Sequence, residues 1–294
     1  MIVPLWAILG MIAAFFSAAT MLLQERLKVN GLALAVWCKI ACVAATFPFV
    51  LMFGIPDDPL FYGFLAIQAV TFAISDVIWY RELPHIGAGV ISRLFPLTVI
   101  IGFGLWVAIE PTQIHKFFDQ PVIGSGIILT MVMSIYFAMS LRKCHLSMVA
   151  LRKIWFVLLA NITGPIVAML LALHSNPQQG PWAYLFIEAL MMFPLWLGYI
   201  AIKKPIPWSA LIEKKTCQGG LIIGLVMVGM IYSYVIGFYY IDNPGYLGAV
   251  RLLDSVIIIA VHKYLNKYDE SNIKAGLGIV ACAVVLIILK NNFG

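Results

Sequence analysis

Six ionisable residues lie inside strongly apolar stretches of this sequence, and their chemistry needs an explanation. They are Lys39, Asp76, Arg93, Glu188, Arg251 and Asp254. Three are basic and three are acidic, so they can neutralise one another in pairs. An arginine in such a place can also bind a carboxylate or phosphate, because its planar guanidinium donates two parallel hydrogen bonds and stays charged. A buried carboxylate can bind and release a proton.

The composition defines the surroundings of these charges. Of the 294 residues, 63% are hydrophobic and 11% are charged, and the mean hydropathy is +0.98. Soluble domains carry about 25% charged residues, so a water-soluble fold is excluded. The apolar runs last about 20 residues, which is the length of a membrane-spanning helix and not of a barrel strand. We therefore expect an all-α integral membrane protein and no nucleic-acid partner.

Ten apolar runs predict ten spans, and the first is interpreted as a retained helix. The predicted spans are 2–23, 31–53, 60–80, 86–109, 122–140, 148–173, 182–202, 217–240, 245–265 and 272–290. Loops after odd-numbered spans hold fourteen Lys and Arg residues, whereas the other loops and the tail hold only Lys116 and Lys290. Because cytoplasmic loops are enriched in these residues, we expect both termini on the outer side of the membrane. We expect that membrane to be the inner membrane of a bacterium.

The sequence contains an internal repeat. A shift of 158 residues places Arg93 on Arg251 and Gly87 on Gly245, and Phe47-Pro48 matches Phe193-Pro194 at a shift of 146. Glycine pairs 124/126 and 276/278 match at a shift of 152. The chain therefore divides into halves 1–141 and 142–294 within one membrane domain. Because each half has five spans, the second is inverted, as in many secondary transporters with a central site.

The repeat and the spacing suggest partners for the charges. Arg251 and Asp254 are three residues apart and share a helix face. Lys39 and Glu188 lie on equivalent spans 2 and 7, and Asp76 can reach Arg93 across the hairpin of spans 3 and 4. Three interpretations stay open: structural ion pairs; arginines that bind an anionic substrate group while Asp254 or Glu188 carries a proton; or side chains that extend to the membrane surface, which fits Asp76 best.

Prolines and aromatic residues add further candidates. Proline removes a helical hydrogen bond and bends the helix, so the prolines inside spans 2, 4, 6 and 7 are hinges or simple kinks: Pro48, Pro96, Pro165 and Pro194. Tyr232, Tyr234 and Trp37 either line a cavity or pack in the core.

The residues also resemble a known family. Glu110 leads to Gly124 and Gly126, and Glu270 leads to Gly276 and Gly278. This pattern, with ten spans in two inverted halves, resembles the EamA-like branch of the drug/metabolite transporter superfamily. The resemblance implies a small-metabolite transporter with a cavity lined by helices 1, 3, 4, 6, 8 and 9. The predicted outside termini depart from the inside termini usual in that family.

We accordingly expect a secondary transporter of a small anionic or zwitterionic metabolite, working by alternating access, with proton coupling left open. The alternative is a flippase for a lipid-linked phosphate. No catalytic, metal-binding or phosphate-loop motif is recognised, so we expect no enzyme activity, metal or cofactor. The partners expected are the solute and membrane lipid, and a homodimer is left open.

Overall fold

The structure is a computed structural model that describes residues 3–27, 29–86, 95–141, 148–265 and 272–293. These residues form helices joined by short turns, and no strand occurs among them. In chain order the helices are α1 Leu5–Leu27, α2 Gly31–Phe53, α3 Pro59–Ile86, α4 Phe95–Ile109, α5 Thr112–Asp119, α6 Pro121–Ser140, α7 Met148–Leu173, α8 Gly180–Lys203, α9 Trp208–Ile212, α10 Lys214–Gly237, α11 Pro244–Arg251, α12 Leu253–Tyr264 and α13 Ile273–Asn291.

The protein is an integral, multi-pass membrane protein. Within the described ranges, nine helical segments are long and apolar enough to cross a membrane, and α11 and α12 together count as one of them. A tenth is obtained if α4 and α5, which meet at 105°, are taken as one span. All-helical spans are expected here, because backbone polar groups in lipid must be satisfied within the segment.

Local sequence explains where the helices begin. The Asn30 side chain accepts hydrogen bonds from the Leu32 and Ala33 amides at the start of α2. Asn243 caps α11 in the same way, and Asn272 caps α13. These side chains satisfy amides that have no partner within the helix.

Eight spans make a closed cycle of contacts. Its order is α1, α10, α2, α8, α3, α7, α4, α11 and back to α1. The two remaining spans, α6 and α13, pack on each other; α6 also contacts α4, and α13 contacts α11 and α12. The cycle contains the helices of Lys39, Asp76, Glu188 and Arg251, and α12, which carries Asp254, packs on α1.

Glycines allow two of these contacts to be close. A Cβ added to Gly224 of α10 would lie 2.7 Å from the Cys38 carbonyl oxygen on α2, and one on Gly220 would collide with Trp37. In the contact between α6 and α13, Gly126 faces Leu289 and Gly278 faces Phe137. Small residues commonly form such seams, because they let helix backbones approach each other.

Two predicted spans differ in detail from the structure. Span 9 crosses as one segment, Pro244–Tyr264, but its helical hydrogen bonding is irregular at Leu252, between α11 and α12. The described part of span 4 begins at Phe95, so Pro96 stands in the first turn of α4 and not in a helix interior. Proline is well tolerated there, because first-turn amides have no helical acceptor.

Candidate functional site

Four buried polar side chains form a chain across α2, α8 and α3. The Lys39 ammonium lies 3.2 Å from Glu188 Oε2, and the Tyr184 hydroxyl donates to Glu188 Oε1 over 3.3 Å. The Gln68 amide nitrogen donates in turn to the Tyr184 hydroxyl oxygen. All four residues are buried. The ion pair thus lies away from water, where breaking it by removing one partner is costly.

Asp76 belongs to the same group. It is half-buried on α3 and interacts electrostatically with Lys39 and Glu188. Its predicted partner, Arg93, lies outside the described residues, as does Gly87. Because two carboxylates share one ammonium, this group can take up one proton and become neutral. The structure therefore brings together three of the residues that the sequence singled out.

Arg251 ends α11, next to the irregularity of span 9. Its guanidinium lies 3.9 Å from the Met230 sulfur, and 5.2 Å from the centre of the Tyr234 ring. Within the described part of the chain, no carboxylate lies within ion-pair distance of it. A cation over an aromatic face is stabilised by the ring quadrupole but keeps its hydrogen-bond donors. The guanidinium can therefore still bind a carboxylate or phosphate.

Asp254 lies on the other side of the irregularity, in the first turn of α12. It accepts hydrogen bonds from the Ser17 hydroxyl over 2.9 Å and from the Ser255 hydroxyl over 3.2 Å. It is buried and binds α12 to α1. Leu252, between Asp254 and Arg251, keeps right-handed helical backbone angles, and the two charged side chains interact electrostatically. That Arg251 and Asp254 share one helix face stays a prediction.

The other aromatic candidates have partners of their own. Tyr232 stacks on Trp182 at 4.1 Å, and Phe49 stacks on Trp182 at 4.0 Å. The Trp37 indole donates to the Leu211 carbonyl over 2.6 Å. These contacts connect α2, α8, α9 and α10. Among the described residues, Tyr234 is the one aromatic candidate that contacts a predicted charge, Arg251.

The predicted hinges lie on four different helices. Pro48, Pro165 and Pro194 are inside α2, α7 and α8, each of which continues on both sides of its proline. Pro48 and Pro194 lie on the two helices that carry Lys39 and Glu188. A bend at either proline would therefore move one member of the ion pair relative to the other.

A second polar network lies at one end of the bundle. We call this the lysine-poor end; it contains the loops 54–58, 110–120, 174–179 and 241–243. Asp242 forms ion pairs with the two lysines of this end. Its Oδ2 lies 3.2 Å from the Lys116 ammonium and 3.0 Å from the Lys290 ammonium. The Trp106 indole and the Gln113 amide donate to the Asp242 carbonyl oxygen. Lys116 and Lys290, the two basic residues outside the lysine-rich loops, are thus both paired with the Asp242 carboxylate.

The protonation of Asp242 responds to this network. Burial alone would raise the pKa of its carboxyl, but Lys290 and Lys116 outweigh burial and hold that pKa below its ordinary value. In a neighbouring loop, the Leu60 amide and His174 lower the pKa of the Asp58 carboxyl. Both aspartates are therefore ionised at neutral pH and hold loops together at this end.

Sequence reasoning missed four residues that complete these groups: Gln68, Tyr184, Ser17 and Asp242. Gln68 gives the clearest signal, since it is an amide inside an apolar run. Ser17 and Tyr184 resemble ordinary residues of membrane helices, and Asp242 resembles an ordinary loop residue. Their roles depend on contacts between distant helices, which the sequence does not reveal.

Comparisons with known proteins support the fold alone. No protein-family model matches the sequence, and no curated protein matches it. Among solved structures, 26 chains match. One of them, described as "Crystal structure of protein", has a TM-score of 0.71 at 11% identity. The match covers 99% of this chain and 100% of the other. The fold is therefore shared over the whole chain, and no activity follows from the likeness.

Proposed function

We propose that this protein is a secondary transporter for a small anionic or zwitterionic organic solute. The observation that carries this proposal is Arg251, a guanidinium inside the membrane-spanning segment Pro244–Tyr264, next to the irregularity at Leu252. The guanidinium lies over the Tyr234 ring and interacts electrostatically with Asp254. No carboxylate of the described residues lies within ion-pair distance of it, so it keeps hydrogen-bond donors for an anionic group. Placing a charged side chain in the membrane costs free energy, so an arginine without a function is unusual there.

We further propose that the two halves are inverted repeats around this site. An inverted repeat exchanges span 1 with span 6, span 2 with span 7, and so on. Under this exchange the contact of α1 with α10 corresponds to a contact of α7 with α3, and that contact is present. The contact of α2 with α10 becomes that of α8 with α3, and that of α1 with α11 becomes that of α7 with α4. Because each of these contacts corresponds to another contact that is present, the contact pattern supports a two-fold relation between the halves.

Individual side-chain contacts support the same relation. Lys39 binds Glu188. A shift of 146 residues relates Lys39 to Leu185 and Glu188 to Cys42, and these two residues are also in contact, since the Cys42 thiol donates to the Leu185 carbonyl over 3.7 Å. This is the shift that relates the two Phe-Pro pairs. At the contact of α6 with α13, a shift of 152 relates Gly126 to Gly278 and Phe137 to Leu289, and each glycine faces the other half's large residue.

Proton coupling would use the group around Lys39. Two carboxylates and one ammonium can exchange one proton, as described above, and Asp254 offers a further carboxylate. Membership of the drug/metabolite transporter superfamily fits the ten spans, and α6 and α13 lie outside the contact cycle, as that resemblance implies for helices 5 and 10. Alternating access would move the halves about a central site.

Uptake into proteoliposomes tests the proposal. The purified protein is reconstituted, and small carboxylates, phosphates and amino acids are screened with and without a pH gradient. Arg251→Lys keeps the charge but loses the planar fork, so we expect transport to fall at least ten-fold with unchanged thermal stability. The control is Arg152→Lys at an exposed position of α7. Wild-type transport by Arg251→Lys would remove the arginine from the proposal.

A flippase for a lipid-linked phosphate is the alternative, and the same proteoliposomes separate the two. A sideways opening lined by cations would favour it. The cleft that opens sideways between α3 and α7 has no charged lining residue. Movement of a lipid-linked phosphate between leaflets, without uptake of water-soluble solutes, would replace the transporter proposal.

A further inference from the structure

A cleft of about 230 Å³ lies between α3 and α7, apart from the span of α11 and α12. Its lining residues are Ile67, Gln68, Thr71, Phe72, Phe156, Leu159, Ala160, Thr163, Gly164 and Val167. Ile67 and Leu159 at its rim are 63% and 41% exposed, so the cleft opens sideways. Gln68 is about nine residues from the start of α3, which is roughly 14 Å at 1.5 Å per residue. The cleft is therefore near the middle of the membrane.

One polar atom in this lining has no partner. Gln68 is 3% exposed, and its carbonyl oxygen Oε1 is buried without a hydrogen bond. The two hydroxyls of the lining, on Thr71 and Thr163, donate to carbonyl oxygens of their own helices, at Ile67 and Leu159. An unsatisfied buried acceptor is destabilising, so a hydrogen bond from a ligand donor to the Gln68 oxygen would be stabilising.

The neighbouring hydrogen bonds fix which end of the Gln68 amide is free. The Glu188 carboxylate can only accept hydrogen bonds while it is ionised, so Tyr184 must donate its single hydroxyl proton to it. The Tyr184 oxygen can then only accept from Gln68, which must use its NH₂ group. The Gln68 carbonyl oxygen is left over. The Lys39–Glu188 ion pair thus determines, through Tyr184, that the unpaired polar atom of this lining residue is an acceptor.

We propose that this cleft is a binding site for a small, mainly apolar molecule that carries one neutral hydrogen-bond donor. The donor would bind the Gln68 oxygen, and the apolar body would lie between Phe72 and Phe156, whose rings favour a flat partner. A charged ligand is disfavoured, because no lining residue is charged. The sideways opening admits a molecule that has partitioned into the bilayer. The site is independent of the solute that Arg251 is proposed to bind.

Two probes of equal shape test this proposal. Indole carries one N–H donor, and benzothiophene is a ring system of the same size without a donor. Binding of each probe to the full-length protein in nanodiscs is measured by equilibrium dialysis, with empty nanodiscs subtracted. We expect saturable binding of both, with indole bound roughly five-fold more tightly, since a net hydrogen bond is worth that ratio. Gln68→Met, which has no carbonyl oxygen, should bring the two affinities together.

A second variant keeps the test decisive if Gln68→Met is unstable. Thr163→Phe fills the cleft from α7 and should abolish saturable binding of both probes. Its control, Val70→Phe, adds the same bulk on α3 at a 49% exposed position outside the lining, and should bind as the wild type does. Equal affinities for indole and benzothiophene in the wild type, the lack of saturable binding, or binding that survives Thr163→Phe would each overturn the proposal.

Discussion

Lys39 and Glu188 bind each other across the contact between α2 and α8, with only 9% and 5% of their side chains exposed. The pair joins the two helices that also carry Pro48 and Pro194. It supports Tyr184 and, through Tyr184, Gln68. One ion pair therefore influences both the packing of two spans and the polarity of the cleft on α3.

Removing one member of this pair should destabilise the protein more than removing both. Glu188→Met leaves a buried ammonium with only Asp76 to balance it, and we expect a loss of about 3 kcal/mol in the free energy of unfolding. Lys39→Met should cost a similar amount, and the double replacement should cost less than either single one. A double-mutant cycle by denaturant unfolding measures the coupling. Additive losses would show that the pair contributes nothing as a pair.

The glycine seam between α10 and α2 should not tolerate a methyl group. Gly224→Ala places a Cβ 2.7 Å from the Cys38 carbonyl oxygen, and backbone must move to make room. We expect a loss of about 1–3 kcal/mol in the free energy of unfolding. Gly198→Ala on α8 is the matched control, because nothing lies within 4 Å of its added Cβ. An equal effect of the two replacements would rule out the close contact.

The Asp242 network should give stability that acid removes. Because the folded carboxyl has a lowered pKa, its contribution is complete above the ordinary aspartate pKa of about 3.9 and is lost as the pH falls through the folded pKa. Thermal unfolding of the wild type and Asp242→Asn should therefore differ at pH 6 and converge below about pH 4. A difference between the two that stays constant down to pH 3 would contradict this assignment.

Tyr234 contacts Arg251 with its ring and also through a hydrogen bond of its hydroxyl, and we expect the ring to contribute more to solute binding. If Arg251 binds the solute, Tyr234→Phe should raise the KM of transport less than Tyr234→Leu does. Tyr234→Leu removes the aromatic face and should raise the KM roughly five-fold, within the range of a cation–ring contact. Similar KM values for Phe and Leu at this position would exclude the ring from solute binding.

Labelling can determine the orientation of the chain. In a cysteine-free background, Asp57→Cys at the lysine-poor end should react with a membrane-impermeant maleimide in intact cells. Lys203→Cys, at the other end of α8, should react only after lysis. Both positions are exposed. The reverse pattern would place the termini inside and remove the departure from the family resemblance.

Sequence alone predicts the spans well, because a membrane helix needs about 20 apolar residues and polar loops separate the runs. It does not predict the irregularity at Leu252, since leucine is an ordinary residue of membrane helices. Nor does it predict the turn of 105° between α4 and α5, where the chain leaves the apolar run. The shifts of 146 and 152 were visible in the sequence, and they relate contacts that only the folded chain contains.

The candidate site was predicted less completely. Charged residues in apolar runs are conspicuous, so Lys39, Glu188, Arg251 and Asp254 could be found. Their partners could not, because Ser17 lies 237 residues from Asp254 along the chain and Gln68 lies 116 from Tyr184. Polar residues without charge are common in membrane helices, and their role depends on which helix faces them.

The pairing of Lys116 and Lys290 with Asp242 has a consequence for the charge at the two ends of the bundle. The lysine-poor end holds five acidic residues against these two lysines, which share one carboxylate. The opposite end combines fourteen basic residues with five acidic ones. An anion in solution is therefore repelled from one mouth of the bundle and concentrated at the other. Added salt should lower the rate at which an anion meets the basic end and raise it slightly at the acidic end. The protein is therefore electrically polarised between the two compartments that it faces.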